Sequence, residues 1–254
     1  MFSFHAECMG TVFLFQIEDE LSEFELNRLC DTAMEIIADA DEKFSLYKSD
    51  SELSKLNRGE IDWGHASNQQ HLIKAQSDYW QVQTSGYFNA NSADGYDPAG
   101  IVKTWAAQNA VNFLQANGVA RFTLNAGGDV YLSGGFNDLL LGRVGISKLV
   151  SIAAQGAGAA LIVDLNDTDF KAICTSGSVE RGSHIWGESA EFVQATVIGA
   201  DLVEADVWAT ALIAGGEKAF ALLEKTQNHL QAIVFRQDET SLATEGLSDL
   251  VVAE

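Results

Sequence analysis

The 254-residue chain holds one proline, three cysteines, and only 15 lysine or arginine residues against 36 aspartate or glutamate. Each shortage excludes something. With a single proline and no Ser/Gly/Pro-rich stretch, nothing reads as a linker, so one compact unit over 1–254 is expected. Cys8, Cys30 and Cys174 are odd in number, scattered and without Cys-x-x-Cys spacing. That argues against a disulfide framework or a zinc site. The formal charge of −21 is spread along the chain. Such a surface repels nucleic acid and anionic membranes, so neither is an expected partner, and an anionic ligand needs a local cation. No window approaches the roughly 20 apolar residues of a membrane span. The opening Met1–Cys8 lacks a basic start and a long apolar run, so neither a signal peptide nor a lipid-anchored Cys8 is expected. The expected location is cytoplasmic, with export by another route left open.

What is present suffices for a real core, since 47% of the residues are apolar. Gly10–Ile17 reads as a strand, apolar on both faces and therefore central. Leu21–Phe44 reads as a helix with a core stripe of Phe24, Leu29, Ala33, Ile36, Ile37 and Ala40. The Ser/Asp cluster before Glu52 caps a short helix ending near Asn57. Asn68–Thr84 is an amphipathic helix carrying Leu72, Ile73, Tyr79, Trp80 and Val82, and it stops at Gly86. Short strands follow at Leu139–Ile146, Ala159–Leu165, Phe170–Thr175 and Phe192–Ile198, with turn residues between them that favour antiparallel hairpins. Asp201–Gly215 is helical, continued beyond Gly216 by Glu217–Gln227, and His229–Phe235 is a final strand. Strands and helices mix without strict alternation, which favours an α+β fold over a doubly wound one.

The chain is organised around Tyr87–Asp129. Asp97 followed by Pro98 predicts an N-cap with proline at the first helical position. Gly118 marks the helix end, and Val119–Asn125 reads as a strand feeding Gly127-Gly128. Helix-start N–H groups suit a phosphate, Gly100 allows close approach, and Lys103 adds charge one turn in. By itself the stretch also reads as a capped surface helix followed by a glycine hairpin. Further on, Asp206 and Thr210 stand four apart on one helix face, offering hard oxygen ligands suited to Mg²⁺. Thr175–Gly187 is polar and glycine-rich, and its His184 could bind a ligand or move a proton, or sit in an ordinary surface hairpin. Tyr47 lies on a loop where its ring could stack on a ligand or pack at an edge.

Taken in order, these pieces form a pattern. Met9-Gly-Thr11, Phe44-Ser-Leu-Tyr47, Asp50-Ser-Glu-Leu53 and Gly86-Tyr-Phe88 come first. Asp97-Pro-Ala-Gly-Ile-Val-Lys103, Asn125-Ala-Gly-Gly-Asp129, Thr175-Ser-Gly177, His184-Ile185 and Ala205-Asp206-x-x-x-Thr210 follow. The series resembles the FAD:protein FMN transferase (ApbE) family over nearly the whole chain. The resemblance implies mixed, largely antiparallel sheets with packed helices, binding FAD and Mg²⁺. It implies transfer of the FMN part of FAD to a Ser/Thr hydroxyl of an acceptor flavoprotein, with release of AMP. Carried over by motif, Met9, Tyr47, Asp97, Lys103, His184 and Ile185 would contact FAD. Gly100 by its carbonyl, with Asp206 and Thr210 by their side chains, would hold the metal. His184 is the leading candidate for the general base and Asp206 the weaker one. Three departures stand out. His184-Ile-Trp-Gly187 replaces the family's longer His-Ile-x-Asp-Pro-x-Thr-Gly, Asp-Pro-Ala-Gly replaces Asp-Leu-Gly-Gly, and Phe88-Asn-Ala90 replaces Phe-Asp-Pro or Phe-Asp-Val. The alternatives are therefore a non-catalytic FAD-binding protein and a Mg²⁺-dependent FAD hydrolase.

Overall fold

The computed structural model describes residues 1–92, 95–147, 159–177 and 191–252. The chain opens as a hairpin of β1 (Phe2–Cys8) and β2 (Thr11–Ile17). Three helices follow, α1 (Glu23–Phe44), α2 (Glu52–Asn57) and α3 (Asn68–Gln83). A small hairpin, β3 (Asn91–Ser92) with β4 (Gly95–Tyr96), leads into α4 (Ala99–Ala116). Next come β5 (Phe122–Ala126), β6 (Asp129–Leu132), β7 (Arg143–Ser147), β8 (Ala159–Asp164), β9 (Ala172–Gly177) and β10 (Gln194–Gly199). The long α5 (Leu202–Thr226), β11 (Gln231–Phe235) and β12 (Ser241–Ala243) close the order. Eight strands form one sheet in the order β1-β2-β5-β6-β9-β10-β11-β12, and β7 pairs with β8 separately. Its pairings are antiparallel throughout, so the α+β fold follows as expected.

Strand alternation divides the core. Phe13, Phe15, Ile17, Phe122, Leu124, Ala126, Tyr131, Cys174 and Val197 turn one sheet face towards α1, α4 and α5. Leu132, Ile173, Ile198 and Ile233 turn the other face towards Ile146, Val163, Leu165, Leu247 and Leu250. The β7–β8 hairpin and the closing 3₁₀ turn thus cover part of the second face.

Local chemistry explains the helix ends. Ser22 and Glu25 form a reciprocal capping box for α1, and Ser51 and Ser67 cap α2 and α3 through their hydroxyls. In α5, Gly216 adopts φ 56° and ψ −142°, so the glycine seen in the sequence is the kink between its two halves.

Several expectations need correction. β1 was not anticipated, although Phe2-Ser-Phe-His-Ala-Glu-Cys8 alternates as an edge strand should. β2 is an inner strand, but it buries one face only and leaves Val12 46% exposed. Phe24 lies outside the α1 core stripe at 78% exposure, because the buried face runs through Leu26, Leu29, Cys30, Ala33 and Ile37. Of the apolar residues on α3, Ile73 is buried while Leu72, Tyr79 and Val82 face solvent. Leu139–Gly142 is a 3₁₀ turn before β7, and β12 makes β11 the penultimate strand.

Candidate active site

The site is assembled at one end of the sheet, where two turns, the end of β9 and two helices converge. Met9 and Gly10 make the β1–β2 turn, both with positive φ, and Met9 bears that strain without being a glycine. Beside it, Gly127 and Gly128 turn β5 into β6, and the Asn125 Oδ1 atom accepts the Gly128 N–H at 2.8 Å. The two turns touch. Gly127 donates to the Val12 carbonyl at 3.1 Å, and a Cβ on Gly127 would lie 2.2 Å from Thr11 Oγ1. β9 ends at the same place, its Gly177 pairing with Gln194 of β10.

The entry to α4 is held from below. Asn57, the last residue of α2, donates to the Tyr96 carbonyl at 2.8 Å and accepts its N–H at 3.2 Å. The Tyr96 phenol meets Ser77 of α3 at 3.0 Å, and burial pushes its pKa up. The helix begins at Ala99 with Pro98 as its cap residue, one position later than the Asp97–Pro98 reading placed it. Asp97 still satisfies a helix-start donor, because its Oδ1 accepts the Ala99 N–H at 2.9 Å. Gly100 lies in this first turn against the Phe88 ring, whose Cε2 would stand 3.2 Å from an added Cβ.

From the next turn of α4 two side chains reach buried carboxylates. Lys103 pairs with Asp129, the first residue of β6, and Asp129 Oδ1 also accepts the Thr175 N–H at 3.1 Å. Thr104 donates to Asp206 Oδ2 at 3.0 Å. Asp206 is fully buried, yet among the described residues its Oδ1 has no hydrogen-bond partner. An unpartnered buried carboxylate oxygen is costly, which points to a ligand that is itself a cation. One turn along α5, the Thr210 hydroxyl meets the buried Ser176 hydroxyl of β9 at 3.2 Å.

This donor set suits Mg²⁺, a hard cation that takes one or two carboxylates and completes its shell with other oxygens. Among the described residues no group of three or more His, Cys, Asp or Glu side chains is gathered for a metal. A metal at Asp206 would therefore be completed by hydroxyl, carbonyl and ligand oxygens. A cavity of about 810 Å³ opens on the other sheet face, between Leu14, Gln16 and Thr123 and the β7 strand. Its lining reaches the site end at Asn125, Gly127, Gly128, Thr175 and Gly177.

A sequence model of the ApbE family matches residues 9–94 and 94–234. The chain belongs to the ApbE family. Its fold is similar to that of the ApbE protein of Thermotoga maritima, at 16% identity over 99% of each chain with a TM-score of 0.79. The flavin transferase ApbE of Vibrio cholerae matches at 18% identity over 98% of each chain, with a TM-score of 0.76. The flavinyl transferase ApbE of Pseudomonas stutzeri matches at 18% identity, over 98% of this chain and 97% of that one, again at 0.76. No curated protein matches by sequence.

Within the ApbE pattern, the fold brings Met9, Asp97, Gly100, Lys103, Asp206 and Thr210 to elements that meet at this end. Tyr47 stays on the α1–α2 loop, 89% exposed. Its neighbour Lys48 is engaged, its pKa raised by hydrogen bonds to Asp41 and then Glu42. Beside Met9, burial and then Asp41 raise the Cys8 thiol, which therefore stays protonated. His184 and Ile185 lie outside the described residues. Three polar residues at the site were not singled out from sequence. Asp129 and Ser176 were visible within quoted motifs, whereas Thr104 had no local signal.

Proposed function

We propose that this protein is a flavinyltransferase that moves the FMN portion of FAD to a Ser/Thr hydroxyl of an acceptor flavoprotein, releasing AMP. The observation that carries the reading is Asp206 Oδ1, a buried carboxylate oxygen with no hydrogen-bond partner among the described residues, one helical turn from Thr210. Family membership and the flavin-transferase names of the solved Vibrio and Pseudomonas relatives point the same way. Asp206 and Thr210 by their side chains, with Gly100 by its carbonyl, would hold Mg²⁺. That ion would supply positive charge to the pyrophosphate oxygens as negative charge builds on the departing AMP.

The chain's own groups bind and orient the dinucleotide. In the first turn of α4, Asp97 takes the Ala99 N–H and the Pro98 carbonyl takes those of Ile101 and Val102. The expected cluster of helix-start donors is thus largely engaged, and Lys103, one turn in, is the group that meets a phosphate. Carried over by motif, Met9, Tyr47, His184 and Ile185 would contact FAD. In the reaction, the acceptor oxygen bonds to the phosphorus of the FMN half. The bond from that phosphorus to the bridging oxygen breaks, and AMP leaves with the bridging oxygen. The acceptor hydroxyl loses its proton to a base. Asp206 is poorly suited to that task, because Thr104 occupies one of its oxygens and a cation would take the other. His184 therefore takes the role.

The test is to incubate the purified protein with FAD, with and without Mg²⁺ and an acceptor domain. AMP is followed by chromatography and covalent flavin by mass. Metal-dependent AMP that rises with acceptor, with flavin on the acceptor, supports the transferase. AMP indifferent to acceptor makes the protein an FAD hydrolase. Stoichiometric FAD with no AMP makes it a binder whose shortened His184–Gly187 turn has cost it turnover.

A further inference from the structure

Asp206 and Thr210 are only as well placed as the groups behind them. Thr104 and Asp206 are both fully buried, on α4 and α5, two helices that pack directly together. The Thr104 hydroxyl has one proton and two acceptors within reach, Asp206 Oδ2 at 3.0 Å and the Ile101 carbonyl at 3.3 Å. The carboxylate is charged and closer, so it takes the proton. Oδ2 is then engaged, and Oδ1, without a hydrogen-bond partner among the described residues, is left to a ligand.

We infer that Thr104 is a positioning and selectivity residue, holding Asp206 so that a divalent cation meets a single carboxylate oxygen. The inference rests on the Mg²⁺ reading of Asp206 and Thr210 given above. Its consequence is discrimination. Ca²⁺ takes about six to eight oxygens and readily accepts both oxygens of a carboxylate, whereas Mg²⁺ demands a tight octahedron and usually takes one. A carboxylate with one oxygen tied to Thr104 suits the smaller ion. Without the hydroxyl, Asp206 can swing and offer both oxygens, which favours the larger one.

The test is calorimetric titration of the full chain with MgCl₂ and with CaCl₂, in the presence of FAD. Wild type is compared with Thr104→Val, Thr104→Ala, Thr104→Ser and Asp206→Asn. Thr104→Val and Thr104→Ala should weaken Mg²⁺ binding by about 10-fold, the lower end for groups behind a metal ligand. Ca²⁺ binding should change much less, so the preference for Mg²⁺ falls, and Thr104→Ser should restore it. Thr104→Ala adds no bulk, so it carries the comparison if the valine variant fails to fold. Unchanged Mg²⁺ affinity in the alanine variant, with binding lost in Asp206→Asn, would overturn the role of Thr104 and leave the metal reading intact. A parallel loss of both cations would also overturn it, since a loosened helix contact has no ionic preference. Wild-type Mg²⁺ binding by Asp206→Asn would instead sink the metal reading itself.

Discussion

Asp129 and Asp206 are both buried carboxylates on elements that pack against each other, β6 and α5, and the fold treats them in opposite ways. Asp129 meets the Lys103 ammonium with one oxygen and the Thr175 N–H with the other. Its charge is matched inside the protein. Asp206 has a neutral hydroxyl on one oxygen and, among the described residues, no hydrogen-bond partner on the other. The first arrangement is that of a structural ion pair, linking α4 to the strand turn beside it. The second leaves a charge unmatched where water is excluded, a cost that stability alone does not explain. On the proposed function, the contrast separates the residue that builds the site from the one that works in it.

The largest expected effect lies on the working side. Asp206→Ala should lower AMP release and acceptor flavinylation by at least about 100-fold, because charge on the reacting phosphate loses its compensation. Full activity in that variant would show that Asp206 is a bystander.

Asp129→Asn should act on stability instead, costing about 3 kcal/mol in a denaturant melt because it breaks the buried Lys103–Asp129 ion pair. Asp206→Asn, melted without divalent cations, should lose nothing or gain, since it removes an uncompensated buried charge. If the two variants melt alike, the distinction between them collapses.

Mg²⁺ provides a third probe. At 100 times its dissociation constant it should stabilise the wild type by about 2.7 kcal/mol by mass action, and should leave Asp206→Asn unmoved.

The smallest effect concerns the turn that aims Asp129. Gly127→Ala meets both a φ of 64° and Thr11 Oγ1 at 2.2 Å, and should cost about 1–2 kcal/mol. Adding Thr11→Ala should recover the steric part and leave the backbone part. No recovery would mean that the turn is strained for another reason.

Much of the fold could be read from local patterns. The helices at Glu23–Phe44, Glu52–Asn57, Asn68–Gln83 and Leu202–Thr226 were expected within a few residues, and so was the break at Gly216. Strands were harder. β1 was missed although Phe2, Phe4, Ala6 and Cys8 alternate with Ser3, His5 and Glu7, and as an edge strand it only half-buries its apolar side. The apolar residues on α3 suggested more burial than that helix has, since periodicity does not say whether anything covers a face. At the site, Asp206 and Thr210 were legible as a pair because they lie one turn apart. Thr104 was not, because its position on α4 points to nothing nearby in the chain.

The sequence by itself determined whatever rests on neighbours within about four residues. That includes capping by Ser22, Ser51 and Ser67, the glycine kink of α5, the tight turns at Gly10 and Gly127, and the shared face of Asp206 and Thr210. Tertiary structure decided which of the acids is satisfied. Lys103 and Asp129 are 26 residues apart, Ser176 and Thr210 are 34 apart, and Thr104 and Asp206 are 102 apart. Each pair meets only because α4 and α5 pack on one face of a sheet whose neighbouring strands are separated in the chain by helices and by the β3–β4 and β7–β8 hairpins. Whether a buried carboxylate finds a cation, a hydroxyl or nothing depends on that packing, because desolvation acts on the assembled surroundings and not on the local chain.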